Sequence, residues 1–101
     1  MNLNMLKQAQ ELKSKLDKAQ KELARMSIEG EAGNGAVKIT MNGQQKITSI
    51  KIDPEVINPA KAKDLEKLIM KAIEEANDKS QRIASKQLKE LTGGIKIPGL
   101  T

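Results

Sequence analysis

The N-terminal segment repeats apolar residues at heptad spacing, and this repeat constrains the fold more than any other feature of the chain. Residues 3–26 contain neither glycine nor proline, which is typical of a continuous helix. The apolar residues alternate between steps of four and three, the a/d pattern of a helix that packs along another helix. They are Met5, Ala9, Leu12, Leu16, Ala19, Leu23 and Met26. We therefore expect a helix over residues 3–26 whose apolar stripe needs a second helix to cover it.

The chain has little material with which to cover that stripe alone. It is 101 residues long, the size of one small domain, and it has no Phe, Tyr or Trp. Aromatic side chains bury the most area per residue, so the core must be built from aliphatic side chains. We expect a single domain over residues 1–101 whose core is completed by a partner subunit.

Several function classes lack the residues they need. The absence of cysteine and histidine excludes disulfides and thiolate metal sites, and removes the commonest general base. Asp53, Glu55 and Glu74 could ligate a divalent ion, but their spacing matches no recognised site. We expect a protein that is not an enzyme and uses no cofactor, metal or small-molecule substrate.

Neither a membrane span nor a signal peptide is expected. No apolar run reaches the ~18 residues that a spanning helix needs, and the N-terminal residues lack the apolar core of a signal peptide. These observations predict a soluble, cytoplasmic protein.

The middle of the chain has the alternation of β-strands. Strand-like segments lie within residues 27–52, as 27–31, 36–41 and 46–52, and predict a three-stranded antiparallel sheet. Asn42-Gly43 has the signature of a type I′ hairpin turn. Ile47 is out of phase with Ile50 and Ile52, which indicates either a bulge or an apolar contact on the second face.

A glycine-rich loop, GEAGNG, precedes the second strand and resembles a phosphate-binding loop only superficially. A dinucleotide fingerprint must open a helix, whereas Gly35 is followed by a strand pattern. A P-loop would also end in Gly-Lys-Ser/Thr. The glycines are therefore expected to form the connection between the first two strands.

Two Asx-Pro pairs follow the strands and predict helix starts. Asp53-Pro54 opens a short turn over residues 54–57, and Asn58-Pro59 opens a long helix over residues 59–92. Gly93 fits the residue just beyond a helix end, and residues 93–101 are expected to be a flexible tail. The apolar stripe of the long helix is interrupted by Ser80 and Gln87. The fold class is thus α+β: helix, three-stranded antiparallel sheet, long helix.

The formal charge of +5 is concentrated on the two helices. The outer face of the first helix carries Lys7, Lys18, Lys21 and Arg25, with Glu11 as its acid. The last turns of the second carry Lys79, Arg82, Lys86 and Lys89 at steps of three, four and three. Such stripes are either solubilising surfaces or polyanion-binding faces, and the four cations of the second helix exceed what its C-terminal dipole favours.

Four segments together resemble the YbaB/EbfC family of small bacterial nucleoid-associated proteins: MLKQAQELKSKLDKAQKELA, GEAGNGAVKITMNG, ITSIKIDPEVI and LTGGIKIPGL. The resemblance covers nearly the whole chain in the right order. It implies a homodimer in which the two small sheets join and the helices project like the arms of a tweezer. It also implies binding to double-stranded DNA and association with the nucleoid, with no catalytic residues.

Sixteen lysines and two arginines suit contact with phosphates better than reading of bases. We therefore expect the eight basic residues named above to bind duplex DNA. The alternative is a non-enzymatic interaction module or a prefoldin-like chaperone, whose subunits share the plan of helix, hairpins and helix.

Overall fold

The computed structural model describes residues 2–92, which form two helices joined through a small sheet. Helix α1 spans Leu3–Arg25, strands β1, β2 and β3 span Ile28–Ala32, Val37–Met41 and Ile47–Ile52, and helix α2 spans Ala62–Thr92. The strands pair antiparallel in the order β1-β2-β3. The molecule is extended, 67 × 23 × 18 Å. The predicted α+β fold class is therefore confirmed.

Asx side chains cap the starts that the sequence indicated. Asn2 accepts a hydrogen bond from the Met5 amide at 2.8 Å and begins α1. Asp53 accepts from the Glu55 amide and begins a single 3₁₀ turn, Pro54–Val56. Asn58 begins a second 3₁₀ turn, Pro59–Lys61, so α2 proper starts three residues later than predicted. The expected cap at Gly93 and the tail 93–101 lie outside the described residues.

The core lies between α2 and one face of the sheet. Val37, Ile39 and Met41 alternate along β2 and are buried against Ala72 and Ala76 of α2. Small side chains on α2 and Gly30 on β1 let the helix backbone approach the strand closely. Helix α2 therefore lies over β1 and β2.

Strand β3 is an edge strand whose isoleucines are poorly covered. Ile50 pairs with Ile39 and Ile52 with Val37, so they share the face on which α2 packs, yet Ile50 keeps 51% exposure. A register shift beside Thr40 and Met41 brings Ile47 opposite Met41. Of the two alternatives for Ile47, the register shift agrees with a bulge, which places Ile47 on the same face as Ile50.

The glycines form the first hairpin connection as expected, whereas the second connection differs from the expectation. Gly33, Asn34 and Gly35 have φ of 64°, 56° and 86°, and the Ala36 amide donates to the Gly33 carbonyl at 3.2 Å. This is the pattern of a type I′ turn centred on Asn34-Gly35. The type I′ turn predicted at Asn42-Gly43 is wrong, because in that loop Gln45 is the residue with positive φ, at 65°.

Gly43 has a different role, which is close approach. Its amide donates to the Leu23 carbonyl at 2.7 Å, and a Cβ at Gly43 would lie 2.7 Å from Leu23 Cδ2. The β2–β3 loop is therefore pressed against the C-terminal end of α1.

The second half of α1 packs antiparallel to the second half of α2, and we call this pair of helices the arm. Four residues from each helix line one small cavity, and the apolar ones among them are Leu16, Ala19, Leu23, Ala84, Leu88 and Leu91. The first half of α1 continues beyond this contact, with Met5 58% and Leu12 41% exposed. Only the C-terminal half of the predicted seam is thus covered by α2.

Candidate nucleic-acid interface

The basic residues predicted on α1 lie on the side of the arm away from α2. Leu16, Ala19 and Leu23 face α2, and the helical period places Lys18, Lys21 and Arg25 on the opposite side. Lys7 lies on the same side, about three turns from Lys18 towards the N-terminus. All four are exposed, so α1 presents them together as one outer face.

Three of the basic residues predicted on α2 lie together on the outer surface of its last turns. Arg82, Lys86 and Lys89 lie there beside Gln81 and Ser85, and Asp78 is the acidic residue at the sheet-proximal end. All three cations are exposed. We call Arg82, Lys86 and Lys89 the α2 basic face.

Lys79 is placed differently from these three. Its ammonium donates to Glu75 Oε1 and to the Glu29 backbone carbonyl, each at 3.0 Å. The hydrogen bond from Lys79 lowers the pKa of Glu75. Lys79 therefore ties α2 to the open edge of β1, and its charge is shared with an acid.

The two basic faces lie on opposite sides of the arm. Ala84, Leu88 and Leu91 turn towards α1, and the helical period places Arg82 and Lys86 roughly opposite them. The structure therefore groups seven of the eight predicted basic residues into two faces, one on each helix, and leaves Lys79 apart from both. A single DNA segment cannot lie along both faces of one arm at once.

A buried polar hub, not recognised from the sequence, holds the base of the arm. Ser80 is completely buried and donates to the Asn42 carbonyl at 2.8 Å. Asn42 Oδ1 accepts from the amides of Gln44 and Lys46, at 2.9 and 3.0 Å. The signal was present in the sequence, because Ser80 interrupts an apolar stripe at a position that must be buried.

Two further polar contacts hold α1 in place, one to α2 and one to the β2–β3 loop. Gln87 Nε2 donates to Glu22 Oε2 at 2.9 Å, and Gln44 Nε2 donates to Gln20 Oε1 at 2.9 Å. Gln87 is the second interruption of the α2 stripe. Both interruptions therefore fix α2 relative to the loop and to α1, and so orient the basic faces.

The described residues offer neither a metal site nor a membrane-spanning helix. Among residues 2–92, no three His, Cys, Asp or Glu side chains are grouped so that they could hold a metal ion. No helix within those residues combines the length and the apolar character needed to cross a membrane.

Fold and surface define a small basic α+β protein that carries its positive charge on a projecting pair of helices. The model of the YbaB/EbfC DNA-binding family matches residues 1–95. The chain belongs to this family, which is a DNA-binding family and not one known for enzymes.

Relatives of known name match over almost their whole length. A nucleoid-associated protein of Clostridium acetobutylicum is 41% identical over 97 residues, covering 96% of this chain and 87% of the relative. One from an Anaeromyxobacter species is 38% identical over 96 residues, covering 95% and 93%.

A solved structure has the same fold. An uncharacterised protein from Helicobacter pylori superposes with a TM-score of 0.80, covering 92% of this chain and 99% of that one. Its sequence identity is 14%, so the likeness concerns the fold.

Proposed function

We propose that this chain is a nucleoid-associated protein of the bacterial cytoplasm that binds double-stranded DNA as a homodimer, mainly through phosphate contacts from its basic helical faces. The observation that carries the proposal is the α2 basic face: three exposed cations that lie along one side of the helix. Family membership and the names of the relatives support DNA as the partner. They favour it over the chaperone-like alternative.

The spacing and the side-chain types of the α2 basic face fit a phosphate backbone. Arg82, Lys86 and Lys89 follow one another at steps of four and three, so their charges repeat about every 5 Å along the helix. Lysine acts as a point charge towards a phosphate, whereas bidentate reading of guanine favours arginine. The chain has no aromatic side chain on which an unstacked base could lie. Duplex DNA bound without base stacking is therefore the preferred ligand.

A homodimer is supported by the uncovered edge of the sheet. β3 has an open backbone edge, and Ile47 and Ile50 on its apolar face are 40% and 51% exposed. Ile57, just after the turn that follows β3, is 56% exposed. Open edges and exposed apolar patches are where strands from a second chain add. Pairing two copies through β3 would join the sheets and place two arms, and twice the charge, on one body.

Charge reversal on the α2 basic face tests the proposal. Replacing Arg82, Lys86 and Lys89 by Glu should weaken duplex binding by at least about a hundredfold near 0.1 M salt, since each phosphate contact adds ~0.9 to the log-log salt slope. Binding is measured by mobility shift or fluorescence anisotropy on a random-sequence duplex.

The matched control reverses Lys63, Lys67 and Lys71, which are exposed on the first half of the same helix. Three reversals change the formal net charge from +5 to −1 in both variants. A loss of binding that depends only on net charge would be equal in the two. If the α2 basic face variant binds as tightly as the control, that face is not the site.

A further inference from the structure

The first half of α1 presents an apolar stripe that the described chain leaves uncovered. Leu16 lines the same cavity as Leu91, one residue before the end of α2, so residues 3–15 of α1 lie beyond the last turn of α2. Met5, Ala9 and Leu12 continue the seam there, within about 40° of Leu16 around the helix. Met5 and Leu12 are 58% and 41% exposed. We call Met5, Ala9 and Leu12 the distal stripe.

We propose that the distal stripe is the docking site of the chain's own residues 95–100, which follow α2 after Gly93 and Gly94. These residues read Ile-Lys-Ile-Pro-Gly-Leu. The inference concerns the completion of the arm within one chain, and does not depend on DNA binding or on the dimer.

Position and length favour this occupant. The segment begins three residues after Thr92 in sequence, and Thr92 ends α2 near the point where the covered part of the seam ends. Gly93 and Gly94 allow the chain to leave the helix and turn towards α1. Nine residues reach up to about 30 Å when extended. The distance along α1 from Leu16 to Met5 is about 16 Å.

The sequence of the segment fits an apolar strip. An extended backbone places Ile95 and Ile97 on one side and Lys96 on the other. Pro98 keeps Ile97 out of the helical region, which favours extended backbone at that position. Two isoleucines can therefore face the distal stripe while Lys96 points to solvent.

Tethering explains why the occupant is this segment and not a second copy. The area that three apolar side chains can bury is far smaller than the ~1,200 Å² buried when separate chains associate stably. A segment joined by a few residues acts at an effective concentration of about millimolar, so a weak contact suffices. Two α1 helices side by side would also oppose Lys7, Lys13 and Lys15 on each, with Glu11 as the acid in that stretch.

The test uses cysteine pairs, which are clean because the chain has no native cysteine. Ala9→Cys combined with Ile97→Cys is treated with a short bismaleimide in the absence of DNA. Gln10→Cys with Ile97→Cys is the control, since Gln10 lies about 100° round the helix from Ala9. Both α1 positions are exposed, so neither substitution disturbs a core.

We expect the Ala9 pair to crosslink within one chain, and the crosslink to be lost in the Gln10 pair. Crosslinking of neither pair, or of both equally, would overturn the proposal. A product with the mass of two chains would also overturn it, and would instead assign the distal stripe to a second copy. None of these outcomes alters the mobility-shift result, so failure here is separate from failure of the proposed function.

Discussion

Gly30 shows how a single residue determines the distance between α2 and the sheet. A Cβ at this position would overlap the Ala72 carbonyl oxygen and the Ala76 amide nitrogen, and would lie 2.8 Å from Ala76 Cβ. Backbone atoms cannot move aside as a flexible side chain can. We expect Gly30→Ala to lower the free energy of unfolding by about 3 kcal/mol, the upper end for overpacking. Urea unfolding followed by circular dichroism measures it.

Gly35→Ala is the matched comparison, because its cost arises from φ and not from space. Gly35 has φ of 86°, and the nearest atom to an added Cβ is Lys38 Cε at 3.5 Å. Left-handed backbone costs a residue with a Cβ about 1–2 kcal/mol. A loss at Gly30 smaller than the loss at Gly35 would contradict the close-packed contact.

Ser80 tests the polar hub at the base of the arm. Ser80→Ala would leave the buried carbonyl of Asn42 without its donor and should cost about 1–3 kcal/mol of unfolding free energy. Ser85→Ala, on the exposed side of the same helix, should change stability by less than about 0.5 kcal/mol. Thermal unfolding of the two variants side by side gives the difference, and equal stability would remove the hub from the account.

Sequence signals predict local structure well where only neighbouring residues determine it. Asp53 caps its turn as predicted, and Asn58 also acts as a cap, although it begins a 3₁₀ turn just ahead of α2; each cap involves residues two positions apart. Asn-Gly occurs twice, and the same signal cannot say which copy makes a type I′ turn. The second copy is used for the approach of Gly43 to Leu23, a contact between residues twenty positions apart.

Among the strands, β3 is the one whose apolar side chains are least covered in a single chain. If two copies pair along it, Ile50→Lys would place a charge in the interface and should shift the protein from dimer to monomer. Met70→Lys is the control: Met70 is 58% exposed on α2, similar to Ile50, and lies away from β3. Light scattering gives the masses. A dimeric Ile50→Lys variant would show that β3 is not the interface.

The two helices show what periodicity can and cannot predict. The seam of α1 was identified from spacing alone, but spacing does not say how far a partner helix extends along it. That limit depends on where α2 meets the loop, through Ser80 and Asn42. The basic stripes were likewise found one helix at a time. Their placement on opposite sides of the arm follows only from the contact of Leu16 and Leu23 with Leu88 and Leu91.

Lys79 illustrates the same limit on charge patterns. Its spacing of three residues from Arg82 predicted that it belongs to the basic stripe, yet it donates to Glu75 and to the Glu29 carbonyl. Glu75 is four residues away on the same helix, so that pair could be expected from spacing. The Glu29 carbonyl lies on β1 and could not.

The whole molecule is a small sheet body from which a narrow arm projects, with cations on both outer faces of the arm. Two such arms on one dimer would present the α2 basic face of each protomer to a duplex. Affinity would then come from counterion release, with little dependence on base sequence.

The most direct measurement is the salt dependence of binding to a random-sequence duplex. If Arg82, Lys86 and Lys89 of both protomers each contact one phosphate, the plot of log affinity against log salt concentration should have a slope of about −5. Single-stranded DNA of the same length should bind more weakly. A slope near zero, or no binding to duplex DNA at low salt, would contradict the proposal that this protein binds DNA through its basic helical faces.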